Sequence, residues 1–232
     1  MAGRGLKTVL VARRLEQLEQ LAHSLEKTYA SESLVLSADL STAAGLARVD
    51  EATAHLDVGL FVTSAGFGTS GPLLDANLKV EHELIELNCY AVLHACQLFG
   101  RRFRQRGSGG LILLSSLVGW QGTPWSANYA ATKAYVQSLA EALSVELKAA
   151  NIDVLASAPG PVRSGFASRA GMTMNTTVSP RTVALASLNA LGRKETVIPG
   201  LLSKALTWSL LPLSRSMRSR VMGSVMSRMA NQ

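Results

Sequence analysis

Tyr129 and Lys133 stand four positions apart in a stretch with helical patterning, Ser126 to Ala150, so their side chains leave the same helix face. A lysine ammonium beside a phenol favours the phenolate and draws the tyrosine pKa from about 10 toward the range of a general acid or base. A Tyr and a Lys at that spacing are just as often a plain surface stripe, so the pair means little without its surroundings. Ser115-Ser116 closes an apolar run 13 residues before Tyr129, where a hydroxyl can hydrogen-bond a carbonyl oxygen. Asn88 interrupts the apolar stretch from Leu84 to Tyr90. A buried amide needs partners, and an ordered water is one way to supply them. Pro159-Gly160-Pro161-Val162-Arg163-Ser164 ends another apolar run, where the ring of a ligand would lie.

Such residues need a frame, and the patterning supplies one. Strands are expected at Thr8–Ala12, Ser33–Ala38, Val58–Thr63, Gly110–Ser116, Ile152–Ala158 and Thr196–Ile198. Between them, helical spacing follows Leu15, Leu18, Ala22 and Leu25, then runs to Leu56 with Ser41 as N-cap, over Lys79–Arg106, over Ser126–Ala150 and around Pro180–Leu191. Apolar strands alternating with helices imply an α/β fold, a doubly wound parallel sheet of Rossmann-like kind covered on both faces. Ligands of such sheets sit at the carboxyl ends of the strands. One domain is expected over residues 1–200, with 201–232 as its basic amphipathic extension.

In residue type, order and spacing, the set Asn88, Ser116, Tyr129-x-x-x-Lys133 and Pro159-Gly160 resembles the short-chain dehydrogenase/reductase family, from about Gly3 to Pro199. The resemblance implies an oxidoreductase that interconverts a carbonyl and an alcohol by hydride transfer. Tyr129 would exchange the proton at the substrate oxygen, and Lys133 would bind the nicotinamide ribose. Ser116 would orient the carbonyl, and Asn88 would anchor a water that relays protons to Lys133. Pro159, Gly160, Val162 and Ser164 would border the nicotinamide, with Ser164 where the family has Thr. A homo-oligomer built on the two long helices is implied as well.

NAD-binding folds place an acidic residue after the second strand to accept from the ribose 2′-hydroxyl. This chain has Arg13-Arg14 there. Arginine pairs with a 2′-phosphate, which favours NADP(H) over NAD(H). The alternative, two arginines merely opening a helix, opposes the helix dipole. Asp39 resembles the family's adenine-contacting Asp, and reads equally well as acidic charge at a helix N-terminus. The family's Asn-Asn-Ala-Gly appears as Thr63-Ser64-Ala65-Gly66, so Ser64 reaches less far. The family's opening strand, glycine-rich turn and helix have no counterpart except Met1–Gly5, which resembles the end of that helix. About 25 residues are thus expected to be missing, making the chain a truncated form or a fragment of a longer reading frame.

Composition narrows the rest. At 47% hydrophobic and 17% charged, 232 residues suit one core. Cys89 and Cys96 would lie roughly 10 Å apart on one helix face, too far for a disulfide, which suits reduced thiols in a cytoplasmic protein. No cluster has metal-ligand spacing. The net charge of +7 is concentrated at the end, where no acid follows Glu195. That tail is expected either to cover the substrate pocket or a partner subunit, or to lie on an anionic membrane surface. Nucleic-acid binding is excluded by 5% aromatic content with no aromatics among the bases. The loop Arg163–Val178, with Phe166, Met172 and Met174, suggests an apolar carbonyl or alcohol substrate. The rival reading is an impaired binding or scaffold protein that lost its pyrophosphate site.

Overall fold

Apolar runs become strands, and the 3.6-residue patterns between them become helices, in a computed structural model describing residues 1–174 and 176–230. Asn175, in the Arg163–Val178 loop, and the last two positions of the 201–232 segment lie outside the described residues. The chain divides into two compact units, Met1–Asp57 and Val58 onward.

The first unit is β1 (Thr8–Ala12), α1 (Leu15–Tyr29), β2 (Ser33–Ser37) and α2 (Ala43–Thr53). Its strands pair in parallel, from Thr8 opposite Ser33 to Ala12 opposite Ser37. A short 3-10 turn, Ala2–Arg4, ends at Gly5 in left-handed backbone (φ 76°) and leads into β1. The cap of α2 differs from the sequence expectation. Thr42 holds it, accepting from Gly45 N at 3.0 Å, whereas Ser41 donates through both its N–H and its hydroxyl to Asp39 Oδ1. A carboxylate two residues upstream captures Ser41 in a local turn, which shifts the cap by one residue.

The second unit carries β3 (Leu60–Thr63), α3 (Leu78–Ile85), α4 (Ala91–Arg106), β4 (Gly109–Leu114), α5 (Ala127–Glu146) and β5 (Ile152–Ser157). It continues with α6 (Phe166–Arg169), α7 (Pro180–Ala190), β6 (Thr196–Val197), α8 (Leu201–Leu210) and α9 (Arg215–Ala230). Its sheet has the order β3-β4-β5-β6, all parallel. Ile112 and Leu155 are buried with Ala190 against Leu60, Val62 and Leu191. Each large aliphatic side chain so buried contributes about 1.5–3 kcal/mol, enough to fix which strand faces which helix. Register puts Thr63 beside Leu113, and Leu114 beside Ser157. The three strands therefore finish together, and the chain leaving each of them emerges on one edge. The fold is Rossmann-like α/β, as the alternation of elements implies.

The long helix expected over Lys79–Arg106 is α3 and α4 joined by one π turn, Glu86–Tyr90. Gly107, at φ 80°, ends it. Cys89 and Cys96 are both free, and burial pushes their thiols up to about 11 and about 12. Among the described residues no helix is long and apolar enough to cross a membrane.

Candidate active site

Helix α5 presents Tyr129 and Lys133 toward the sheet, and both are almost fully buried, at 8% and 7% exposure. Its first turn is fastened to the chain leaving β3: Ser126 Oγ donates to Thr69 O, and Gly71 N donates to Trp125 O, each at 2.8 Å. Lys133 Nζ donates to Leu114 O at the end of β4 (2.8 Å) and lies 5.8 Å from the Tyr129 ring centroid. An ammonium has three donors, so two N–H groups remain for a ligand.

The paired serines after β4 divide the work. Ser115 turns inward, its hydroxyl donating to Lys133 O at 3.0 Å and bracing strand against helix. Ser116 faces Tyr129, and its hydroxyl acts to lower the pKa of that phenol. It also opens the short 3-10 turn Leu117–Trp120, with long 3.5 Å bonds to Val118 N and Pro159 O. That turn lies on the backbone of α5: a Cβ on Gly119 would come within 2.7 Å of the Lys133 carbonyl carbon. The spacing of serine, tyrosine and lysine thus depends on a residue without a side chain.

Asn88 sits in the π turn, 1% exposed. Its Nδ2 donates to Phe67 O (2.9 Å) and Thr132 Oγ1 (3.1 Å), while its Oδ1 accepts from Phe67 N (3.2 Å). The buried amide finds its partners in protein, clamping the loop after β3 to α5. π turns recur at functional sites because they re-aim one side chain within a helix. Next to that clamp, a Cβ on Gly66 would stand 2.9 Å from Asn88 Oδ1 and 3.7 Å from Lys133 Nζ. Ser64, Ala65 and Gly66 are exposed. Bracing of the adjacent strand falls to Thr63, whose hydroxyl accepts from Leu114 N at 3.1 Å.

Burial dominates the ionisation of the pair. The Tyr129 phenol is pushed up to about 12, with the Ser116 hydrogen bond working against the rise. Lys133 is pushed down to about 8, and Cys89 opposes that shift. This corrects the sequence expectation of a phenol made more acidic: removal from water governs both shifts.

Pro159 O receives the Ser116 hydroxyl, and a Cβ on Gly160 would meet Ser203 Oγ at 2.6 Å. Val162 bridges Val178. Ser164 accepts from Phe166 N at 3.3 Å, starting α6. The Phe166 ring then packs on Tyr129 at 5.2 Å between centroids, and Arg169 lies over Phe67 at 4.4 Å. Sequence reading gave no role to Thr63, Phe67, Thr132 or Gly119. Only the glycine, set inside a short apolar run, carried a signal that could have been noticed.

In the first unit Arg13 and Arg14 are exposed at the end of β1. Arg13 Nη1 is 3.8 Å from Asp39 Oδ2, an exposed and loose pair. Asp39 is held below the usual carboxylate range, first by the Ser41 hydroxyl and in smaller part by Arg13.

Known proteins resemble this chain in sequence and fold. Residues 1–175 match the family described as short chain dehydrogenase. The 7beta-hydroxysteroid dehydrogenase of Mediterraneibacter gnavus is 27% identical over 218 residues, which are 88% of this chain and 81% of that protein. A solved structure of a 7beta-hydroxysteroid dehydrogenase gives a TM-score of 0.87 at 26% identity, over 95% of this chain and 88% of the other. A short-chain dehydrogenase from Sphingobium yanoikuyae in complex with NADPH gives 0.82 at 29%, over 95% and 87%.

Proposed function

Because the chain belongs to the short-chain dehydrogenase family, we propose that it is an NADP(H)-dependent oxidoreductase interconverting an apolar ketone or aldehyde with its alcohol. The observation that carries this reading is the convergence of Ser116, Tyr129 and Lys133 on the strand-end edge of the second unit.

Residues of the second unit fit the nicotinamide-ribose end of a dinucleotide, and residues of the first unit fit its 2′-phosphate. Lys133 keeps two donors for a ribose diol, and Gly66 leaves the Lys133–Asn88 corner without a side chain. Arg13 and Arg14 offer exposed guanidinium groups to a 2′-phosphate, with Asp39 beside Arg13. Ser64, Ala65, Pro159, Gly160, Val162 and Ser164 are the proposed further contacts. When bound, the cofactor supplies or accepts the hydride.

The chain's own residues do the rest. Ser116 donates to the substrate oxygen and fixes its direction. In reduction Tyr129 Oη gives its proton to that oxygen as negative charge develops there; in oxidation the phenolate takes it back. The Lys133 ammonium stabilises the phenolate left behind, and so must be protonated for the step. Asn88 is a positioning residue: it holds the loop after β3 against α5. Phe166 and Phe67 provide apolar walls beside Tyr129, and the relatives named for hydroxysteroids point to bulky alicyclic carbonyl compounds.

The test is NADPH oxidation with a panel of cyclic and aromatic ketones. Turnover by the wild type, and a drop of about 1000-fold or more in Tyr129→Phe from loss of the proton donor, is the expected result. NADPH binding without turnover on any carbonyl would instead mark a binding or scaffold protein.

A further inference from the structure

Helix α8 leaves large apolar residues facing outward as well as inward. Against the fold it buries Ser203, Thr207 and Leu210, with Thr207 Oγ1 donating to Ser203 O at 2.9 Å. Facing out are Leu201 at 84% exposure, Leu202 at 58%, Trp208 at 66% and Leu211 at 45%. Leu201, Ala205 and Trp208 recur at helical spacing, so they form one stripe. A surface helix in water ordinarily turns such a stripe inward, and contiguous exposed apolar residues mark an interaction site.

Charge identifies the occupant. No acid follows Glu195, and Lys204, Arg215, Arg220 and Arg228 are all exposed. Arg218 is turned instead to the carbonyls of Leu211 (2.7 Å) and Leu213 (2.9 Å), tying α9 to the end of α8. A second copy of the chain would bring the same bases against these through a two-fold interface, an unfavourable match. An anionic bilayer meets both features. Tryptophan settles at the headgroup level, leucines reach the acyl boundary, and each nearby base gains from the negative surface potential.

We propose that α8 docks on the surface of an anionic lipid bilayer as a peripheral anchor that does not span it, its Leu201–Trp208 stripe inserted and Lys204 with the exposed arginines of α9 on the lipid phosphates. The inner side of α8 then faces the candidate site. Ser203 lies against Gly160, and a crevice lined by Leu117, Trp120, Leu206 and Leu210 separates α8 from the turn that Ser116 opens. Met226 of α9 packs with Ala170 and Met172 of the loop after β5. An apolar carbonyl compound dissolved in lipid would enter beside this face. That last step rests on the proposed function, whereas docking itself does not.

Flotation of the full chain with vesicles tests the docking. Recovery with phosphatidylglycerol–phosphatidylcholine vesicles is expected, weakened about tenfold or more on phosphatidylcholine alone or in high salt. Trp208→Glu and Leu201→Glu should each weaken it about tenfold or more, with unchanged far-UV circular dichroism, while Trp208→Phe should retain it. Failure of the wild type to float, or flotation indifferent to Trp208→Glu and Leu201→Glu, overturns the proposal. So does a dimer in sedimentation that Trp208→Glu splits while vesicles capture nothing. Reduction of a water-soluble ketone by Trp208→Glu should match wild type, so a dead enzyme and a non-binding surface are read separately.

Discussion

Tyr129 and Lys133 are each held away from the charge they would carry in water, and the two penalties act in adjoining pH ranges. Lys133 is lowered to about 8 from its ordinary 10.5, because burial disfavours the ammonium. Between those values the unfolded chain binds a proton that the folded chain has released, so stability gains as pH rises through this window. Tyr129 is raised to about 12 from 10, so between those values the unfolded chain has lost a proton that the folded one keeps, and stability falls. The difference in unfolding free energy between wild type and Lys133→Met should therefore change by on the order of 3 kcal/mol between pH 8 and 10.5. Urea melts across that range measure it, and a flat difference would show that the lysine is solvated. Cofactor choice is also decided by single residues. The 3.8 Å contact of Arg13 to Asp39 is long and exposed, so little must be broken to free the guanidinium for a phosphate. Arg13→Ala with Arg14→Ala should raise KM for NADPH by about 10- to 100-fold and leave KM for NADH nearly unchanged. Equal effects on the two would assign the arginines to the helix start alone.

At the scale of elements, what positions the residues is the contact of the short turn after β4 with α5. Gly119 leaves 2.7 Å between its absent Cβ and the Lys133 carbonyl carbon, and a backbone atom cannot swing aside as a side-chain tip can. Gly119→Ala should cost about 1–3 kcal/mol and move Ser116 off the phenol, with kcat falling up to about 100-fold. A thermal melt paired with steady-state kinetics separates the two effects. An unshifted melt with full activity would mean that the turn slides freely. The same contacts explain what the sequence displayed and what it concealed. β1 was legible in its bounds as an apolar run flanked by charges, although the strand is half-buried over Thr8–Val11 and exposed at Ala12 rather than buried, and the Ser116, Tyr129 and Lys133 set was legible from order and spacing. The π turn at Glu86–Tyr90 was not, because it depends on Asn88 finding Phe67, 21 positions earlier. The sign of the Tyr129 shift was hidden for a similar reason: spacing reveals a neighbouring ammonium, but burial comes only from the packed fold. The tail was expected to be amphipathic, but nothing in its pattern said that Ser203 and Thr207 would take the inner side of α8.

For the whole molecule, the proposed function makes a demand that no single residue meets. A ligand that binds the folded chain and not the unfolded one stabilises by RT ln(1 + [L]/Kd), about 2.7 kcal/mol when the ligand stands at 100 times its Kd. In a chain of 232 residues each kcal/mol moves the midpoint by about 2–4 °C. NADPH at that level should raise Tm by about 5–10 °C, NADH at the same concentration by less, and the Arg13/Arg14 double alanine variant should reduce the NADPH shift toward that of NADH. Lys133→Met should shrink both shifts together, because a ribose contact is common to the two cofactors. A scanning-calorimetry series on the three proteins reads all of these outcomes without requiring a substrate. If NADPH left every midpoint in place, the residues gathered around Tyr129 would be a scaffold without its cofactor, and the oxidoreductase reading would fall whatever the geometry of the serine, tyrosine and lysine.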